Sequence, residues 1–416
     1  MALMSVVLVF ASFSPFASAK TISAPSCSQA DVQSALASSS TGDSIVVPAG
    51  NCTWTSLNVN KAITLQGAGI GLTNITINVS QGLTLTKQTA AVTRMQGFSV
   101  SSSNVNTLPH SIVVNGVWLN SQPVVFQNNA FTMSGSAMFD IFVAGGVIFS
   151  HNIFNGGWND FAFTVKDLTS VNSWTTADSM GTNDANGTKN IYIEDNTFNG
   201  QSNGVIDCDD NCRVVFRHNT LANSGGFNSH GADSSPYGMR HFEIYSNSFT
   251  FPDTTCTAGN SSLSNINQYI WIRGGTGVIF ENSFVALNSS CWGRKTEVKL
   301  SIRGAEDDRP QGTCSQVHYP VPHQLGQSNN GIADITDPIS IWGNTGTMQI
   351  AGGWVWGNPC GFSWTTFFQW SRDGINPNGT GGTSKSGYVP YSYPHPLISS
   401  GTLSDTSPPQ VSISVQ

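Results

Sequence analysis

The ionisable side chains best suited to chemistry in this sequence gather between positions 207 and 241. They are Asp207, Asp209, Asp210, His230, Asp233, Arg240 and His241. A carboxylate beside an imidazole can transfer protons, and a guanidinium can neutralise a carboxylate on a ligand. Only 10% of the 416 residues are charged, against about 25% in an average soluble protein, so this gathering is informative. It predicts a catalytic site; a structural network that stabilises a loop is the alternative.

Two similar segments, YIWIRG and VKLSIRG, supply two further arginines, Arg273 and Arg303. Strand alternation turns the preceding isoleucines inward and places both arginines, with Lys299, on one outward strip. Such a strip could bind a sugar carboxylate in bidentate fashion, so Arg303 and Lys299 are predicted to bind substrate. Pairing with neighbouring acids explains the arginines equally well. The predicted catalytic residues are Asp207, His230, Asp233, Arg240 and Arg273.

One phrase recurs along the chain, in forms such as VVFQNNAF, VIFSHNIF, IYIEDNTF and VVFRHNTL. Each copy is a short alternating strand followed by Asn, usually with Phe two residues later. The Asn positions are Asn129, Asn152, Asn196, Asn219, Asn247, Asn282 and Asn344. A period of about 23 residues without intervening helices is typical of a parallel β-solenoid, whereas a propeller blade needs about 40 residues. The pattern predicts an all-β fold in which the Asn side chains stack and bond to one another while the Phe side chains fill the core.

Aligning the coils on Asn converts sequence offsets into spatial neighbours. Glu194 then stacks near Arg217, and Asp195 near His218. Asp207 and His230 each follow their Asn by 11 residues, so they should also be neighbours. We predict that Arg217 and His218 bind substrate; surface ion pairs that hold the register are the alternative.

The N-terminal region carries a specific resemblance. Residues 28–40, SQADVQSALASSS, begin with a capping pattern and place Val32, Ala35 and Leu36 on one face of a helix that could cover the first coil. This helix, then GDSIVVPAGNCTW and AITLQGAGIGLTNITI, resembles the opening of pectate-lyase-like right-handed parallel β-helix proteins, and the Asn-rich coils continue the resemblance to about residue 350. The resemblance implies a right-handed parallel β-helix with a short N-terminal capping helix. It does not fix the reaction, because the fold carries lyases, glycosidases, esterases and non-catalytic fibres.

The two ends of the chain predict export. Residues 3–16 are apolar and are followed by Ala-Ser-Ala, which predicts a signal peptide over residues 1–19. The apolar run is too short to span a bilayer, and no later segment is apolar enough, so no membrane association is expected after signal removal. The remaining chain divides into a β-helix domain over 20–400, with an aromatic-rich C-terminal cap, and a Ser/Thr/Pro linker or tail over 401–416.

Eight cysteines follow the predicted cleavage site. An even number of cysteines in an exported chain indicates disulfides. We predict the local pairs Cys27–Cys52 and Cys208–Cys212 and a secreted protein.

The function predicted first is a polysaccharide lyase that cleaves a uronate-containing polysaccharide by β-elimination. That reaction needs a base and a cation that neutralises the uronate carboxylate. His230 or an arginine could be the base, with Arg240 and Arg273 as neutralisers. A calcium ion could neutralise the carboxylate instead, since oxygen ligands suit it. The candidate calcium ligands are Asp207, Asp209 and Asp210.

Two other functions stay open. A glycoside hydrolase would use two carboxylates drawn from Asp207, Asp233 and Glu243. A non-catalytic carbohydrate-binding or adhesin solenoid fits the polar, largely uncharged composition. The net charge of −7 lacks the basic footprint of a nucleic-acid partner. We expect a monomer whose partner is a polysaccharide.

Overall fold

The structure is a computed structural model of the chain. It describes residues 18–103, 109–134, 138–156, 161–166, 183–200, 204–222, 224–231, 238–251, 268–286, 296–302, 323–346, 350–355, 361–375 and 378–399. The predicted signal peptide, except its last two residues, and the predicted C-terminal tail lie outside these ranges.

Three long parallel sheets form the fold, with 12, 10 and 10 strands. Each coil runs from a strand of sheet 1 through a turn to sheet 2, then to sheet 3, and back to sheet 1 one step along; from Asn129 onward the turn into sheet 2 contains the repeated Asn. Equivalent residues of successive coils pair directly, as Phe126 does with Phe149. The right-handed parallel β-helix predicted from the sequence is confirmed.

The strands are numbered in chain order. Sheet 1 contains β1 (Thr21–Ser23), β2 (Ser44–Val47), β5 (Thr64–Gly67), β8 (Thr93–Gln96), β11 (Val124–Gln127), β14 (Val147–Ser150), β17 (Ile191–Glu194), β20 (Arg213–Arg217), β23 (His241–Tyr245), β26 (Thr276–Phe280), β31 (Ile339–Trp342) and β34 (Gly374–Ile375). Sheet 2 contains β3 (Gly50–Thr53), β6 (Thr73–Thr76), β9 (Ser99–Ser103), β12 (Ala130–Ser134), β15 (Ile153–Gly156), β18 (Thr197–Asn199), β21 (Thr220–Ala222), β24 (Ser248–Phe251), β27 (Ser283–Ala286) and β32 (Thr345–Gly346).

Sheet 3 contains β4 (Leu57–Val59), β7 (Leu83–Thr86), β10 (Ile112–Asn115), β13 (Phe139–Ile141), β16 (Phe161–Val165), β19 (Gly204–Cys208), β22 (Phe227–Ser229), β25 (Gln268–Ile272), β28 (Thr296–Ile302) and β33 (Ile350–Val355). A small antiparallel pair is formed by β29 (Gln327–Asn329) and β30 (Asp334–Thr336). The helices are α1 (Gln29–Ser38), α2 (Trp364–Phe367) and α3 (Pro396–Ser399). None of the helices in the described ranges is both long and apolar enough to cross a membrane.

The predicted Asn column is continuous from Asn129 to Asn344. The side-chain amide of each Asn donates to the side-chain oxygen of the next, at 2.9–3.1 Å. That oxygen also accepts the backbone N–H of the earlier Asn, as Asn219 does from Asn196 at 3.0 Å. All seven side chains are buried, so the column satisfies polar groups that water cannot reach.

The residue before each Asn adopts a left-handed backbone conformation. The φ values at Asn128, His151, Asp195, His218, Ser246 and Glu281 lie between 52° and 58°. A non-glycine residue in this region costs free energy, on the order of 1–3 kcal/mol. The Asn column holds the turn in that conformation, which sends the chain from sheet 1 into sheet 2.

Stacked aromatic rings fill the core beside this turn, as predicted. Phe131, Phe154 and Phe198 form one stack, with ring centroids 5.1 and 4.8 Å apart. Further along the solenoid, Phe249 stacks on Phe284 at 4.9 Å. All are essentially inaccessible to solvent, and such offset pairs add to the stabilisation from area burial.

Helix α1 covers the first coil, as predicted. Ser28 caps it by accepting a hydrogen bond from the backbone N–H of Asp31. Its buried residues are Val32, Ala35 and Leu36. The predicted disulfides Cys27–Cys52 and Cys208–Cys212 are both present.

We predict that Asn219→Ala destabilises the fold strongly. The substitution leaves the buried backbone N–H of Asn196 without its acceptor and interrupts the column in the middle. The free energy of unfolding should fall by about 2–4 kcal/mol, as measured by chemical denaturation. Asn58 is exposed on β4, so Asn58→Ala should change the free energy of unfolding by less than about 0.5 kcal/mol. Equal effects of the two variants would contradict a structural role for the column.

Candidate functional site

The outward residues of five neighbouring sheet 3 strands form a polar column that we call the sheet 3 face. Strand pairing aligns Thr164 with Asp207, Asp207 with Asn228, Asn228 with Trp271, and Trp271 with Lys299. The strand spacing of about 4.8 Å makes the step from Asp207 to Lys299 about 14 Å along the solenoid. An extended chain molecule could lie along such a face.

Asp207 and His230 form an acid–imidazole pair on this face, as predicted. The Asp207 Oδ1 lies 3.1 Å from the His230 Nε2, and both side chains are partly exposed. The same Asp207 oxygen accepts a hydrogen bond from the Asn228 side-chain amide at 3.0 Å. The carboxylate therefore orients the imidazole.

Arg273 follows β25 and bonds to β22, the preceding strand of sheet 3. Its Nε donates to the Ser229 carbonyl, and its Nη2 lies 3.4 Å from the Asn228 Oδ1. The side chain is 3% exposed. Gly275, with φ of 71°, turns the chain away two residues later, where a Cβ would lie 2.6 Å from the Arg240 carbonyl oxygen. The guanidinium is thus fixed at the base of the sheet 3 face.

Lys299 and Arg273 both contact the indole of Trp271. The Lys299 Nζ lies 4.0 Å, and the Arg273 Cζ 4.5 Å, from the ring centroid. Burial, and secondly the positive charge of Arg273, lower the pKa of Lys299. A lysine with a lowered pKa has a larger neutral fraction and can accept a proton.

The turn between Cys208 and Cys212 holds the remaining acids of the predicted cluster. Asp209 is buried and lies 4.0 Å from the Lys166 Nζ. Its Oδ1 accepts the backbone N–H of Asp210, whose φ is 37°. Asp207 faces His230 instead, so the three predicted calcium ligands do not converge. In the described ranges, no group of three or more His, Cys, Asp or Glu side chains is placed to hold a metal ion.

Arg240, predicted to be catalytic, is fully buried. Its Nη2 donates to the Asn329 carbonyl at 3.2 Å, which ties the turn before β23 to the β29–β30 pair. The guanidinium thus contacts protein at this turn, and the catalytic role predicted for Arg240 stays a prediction.

Arg217 and His218, predicted to bind substrate, lie on sheet 1 and its turn, away from the sheet 3 face. The segment 388–398, which we call the C-terminal strap, covers them. Arg217 is fully buried, forms an ion pair with Glu194 at 2.6 Å, and donates to the Tyr391 and Ser392 carbonyls. The predicted Glu194–Arg217 contact is confirmed, but the strap occupies the groups that a ligand would need.

His218 stacks on Tyr393 of the strap, with ring centroids 3.6 Å apart. Burial lowers its pKa, with Asp195 opposing that shift. The strap also buries Tyr192 and Ile398 in a second apolar cluster outside the main core. His218 thus contributes to strap docking.

Glu243, a candidate for hydrolytic chemistry, is buried on β23 of sheet 1. It lies 3.2 Å from the His241 Nε2 and accepts a hydrogen bond from Tyr388 of the strap. Glu243 and Asp207 therefore belong to different sheets and cannot flank one glycosidic bond. Asp233 and Arg303 lie outside the described residues, and their predicted roles stay predictions.

Sequence reasoning missed Asn228, Trp271 and Ser301 on the sheet 3 face. Ser301 accepts a hydrogen bond from the Trp271 Nε1 at 2.8 Å. Trp271 alternates with the inward Ile270 and Ile272, so strand periodicity alone could have identified it as outward. Its alignment with Asn228 and Lys299 required the observed register.

No protein-family model matches this sequence, and no curated protein matches it. Among solved structures, it is similar to an alginate lyase from Paenibacillus sp. str. FPU-7, with 13% identity and a TM-score of 0.38 over 81% of this chain and 94% of that one. It is similar to the PL6 family alginate lyase AlyGC, with 14% identity and a TM-score of 0.41 over 80% of this chain and 49% of that one.

The catalytic domain of a GH87 alpha-1,3-glucanase in complex with nigerose is also similar, at 14% identity and a TM-score of 0.28 over 81% of this chain and 65% of that one. The chain spans about half the length of AlyGC. At such identities the similarity concerns the fold alone.

The strap should detach more easily in acid because of His395. Burial lowers the pKa of His395 to about 4, from 6.5, so the unfolded segment binds more protons between those values. Stability that depends on the neutral imidazole is present above pH 6.5 and is lost as the pH falls towards 4. Hydrogen exchange of residues 388–398, corrected for intrinsic rates, should rise over that range.

His395→Phe keeps a ring beside Tyr192, whose centroid lies 4.5 Å from that of the imidazole, and should lose most of this pH dependence. His151→Phe, at an exposed position, is the control and should behave like the unaltered protein. An unchanged pH dependence in His395→Phe would show that another group is responsible.

Proposed function

We propose that this protein is an exported polysaccharide lyase that cleaves a uronate-containing polysaccharide by β-elimination. The observation that carries the proposal is the cluster of Lys299, Arg273 and Trp271, next to the Asp207–His230 pair, on the sheet 3 face. It combines a proton acceptor, a fixed cation and an imidazole along a partly exposed strip. Two disulfides support the exported part of the proposal.

Each side chain has a distinct role in the proposed reaction. Arg273 faces the uronate carboxylate and stabilises the negative charge that develops when the neighbouring C5 proton is removed. Lys299, in its neutral form, takes that proton. The C4–O bond then breaks as the C4–C5 double bond forms. His230, oriented by Asp207, donates a proton to the leaving oxygen.

The positions of these groups favour this division. His230 and Lys299 lie on either side of Arg273 along the solenoid, on the turn after β22 and on β28. The proposed cation therefore lies between the proposed base and the proposed acid along the direction of a bound polysaccharide. Asn228 contacts both Asp207 and Arg273 and so couples the acid and the cation.

Elimination can be distinguished from hydrolysis directly. The protein should be incubated with a panel of uronate-containing and neutral polysaccharides, while ultraviolet absorbance and reducing ends are followed together. We expect absorbance from unsaturated products on a uronate polymer. Reducing ends without absorbance would indicate a hydrolase, and binding without turnover a non-catalytic solenoid. Loss of activity on adding a chelator would indicate a required metal ion. Because Asp207, Asp209 and Asp210 do not converge, its ligands would have to include other residues.

We predict that Lys299→Met and His230→Ala each lower kcat by about 100-fold or more, because each removes a proton-transfer group. Both side chains are on the surface strip, so circular dichroism should show an intact fold. Lys20→Met, at an exposed position just before β1 and distant in sequence from the site, is the matched control and should retain full activity. Wild-type turnover in Lys299→Met would remove Lys299 from the mechanism.

A further inference from the structure

Trp271 lies between two cations in the structure. Lys299 reaches its ring from β28, the following strand, and Arg273 continues β25 but bonds back to Asn228 and Ser229 around β22. The indole is half-buried. Its Nε1 donates to the buried Ser301 Oγ, which fixes the orientation of the ring.

Two cations on neighbouring strands repel each other, and the repulsion is stronger away from water. An aromatic ring attracts a cation over its face through its quadrupole. An indole that contacts both cations therefore offsets part of their repulsion and fixes each of them.

We propose that Trp271 is a positioning residue: its indole holds the Lys299 amine and the Arg273 guanidinium at separate, defined places on the sheet 3 face. The catalytic consequence rests on the proposed lyase function, whereas the positioning itself does not. The function of Trp271 is electrostatic, in contrast to the ligand stacking usually expected of a tryptophan on a carbohydrate-binding surface.

Titratable groups on the described strands beside β28 bear on the pKa of Lys299. Of the described elements packed against β28, β25 leads into Arg273, and β33 contains no titratable residue. On its own strand, Glu297 precedes it by two positions. The aromatic contact favours the ammonium form, while Arg273 and burial disfavour it. Removing only the aromatic contact should therefore lower the pKa of Lys299.

The direct test is a nuclear magnetic resonance titration of lysine side chains labelled at the ε carbon. The chain contains eight lysines, and Lys299→Arg assigns the signal. In the unaltered protein the Lys299 ε-methylene should show an upfield ring-current shift. Trp271→Leu should abolish that shift and lower the pKa of Lys299, whereas Trp271→Phe should largely preserve both.

Ser301→Ala provides a second variant that leaves the indole in place. It should reduce the ring-current shift without abolishing it, because the ring loses its fixed orientation. An unchanged shift and pKa in Trp271→Leu would overturn the proposal. A higher pKa in that variant would also overturn it, because burial by the indole would then outweigh the cation–π contact.

The activity measurement separates this proposal from the proposed function. If Lys299 is the base, Trp271→Leu should lower kcat by about 3- to 30-fold and move the acidic limb of the pH profile to lower pH, while Trp271→Phe restores both. A purely structural role would lower activity without moving that limb. Loss of the resonance shift in a protein with no lyase activity would support the positioning role and reject only the lyase.

Discussion

The hydrogen-bonded column of buried asparagines is the constraint on which the rest of this structure depends. Each amide satisfies backbone and side-chain groups of its neighbours. The residue before each Asn has a left-handed backbone conformation, which costs free energy at the six non-glycine positions. Because the column runs through seven coils from Asn129 to Asn344, it fixes the register of these coils in sheet 1 and the start of the sheet 2 strand that follows each Asn. The coils that carry Asp207, Asn228, Trp271 and Lys299 are among those seven, and strand pairing aligns the four residues on sheet 3.

Two groups of charged residues in the described ranges lie on different faces. On sheet 1, Glu194, Arg217 and Glu243 are buried beneath the C-terminal strap, where their hydrogen bonds are made to protein. On sheet 3, Asp207, His230 and Lys299 remain partly open to solvent. Buried ion pairs contribute little net stability but are costly to break, so the first set locks the strap and only the second is available to a ligand.

Much of the fold could be predicted because one residue type marks seven successive coils. Distances in sequence from Asn to sheet 1 are constant, which made Glu194 and Arg217 predictable neighbours. The number of residues from the repeated Asn to sheet 3 differs between coils: Asn228 follows the Asn of its coil by 9 residues, Trp271 by 24 and Lys299 by 17. Sequence offsets therefore could not reveal the sheet 3 face, although Asp207 and His230 happen to have the same offset from their Asn. Nor could they show that a segment 174 residues away in sequence covers Arg217.

The strap gives the solenoid a property that its coils lack. A stack of repeats has contacts only between neighbours, so it can open from either end one coil at a time. The strap contacts Trp342 on β31 through Tyr388 and Arg94 on β8 through Leu397, 303 residues earlier in the chain. It can dock only after the intervening coils have formed, and those coils cannot open singly while it is docked. The strap therefore slows unfolding more than it speeds folding, and it makes the solenoid resist opening as a single cooperative unit.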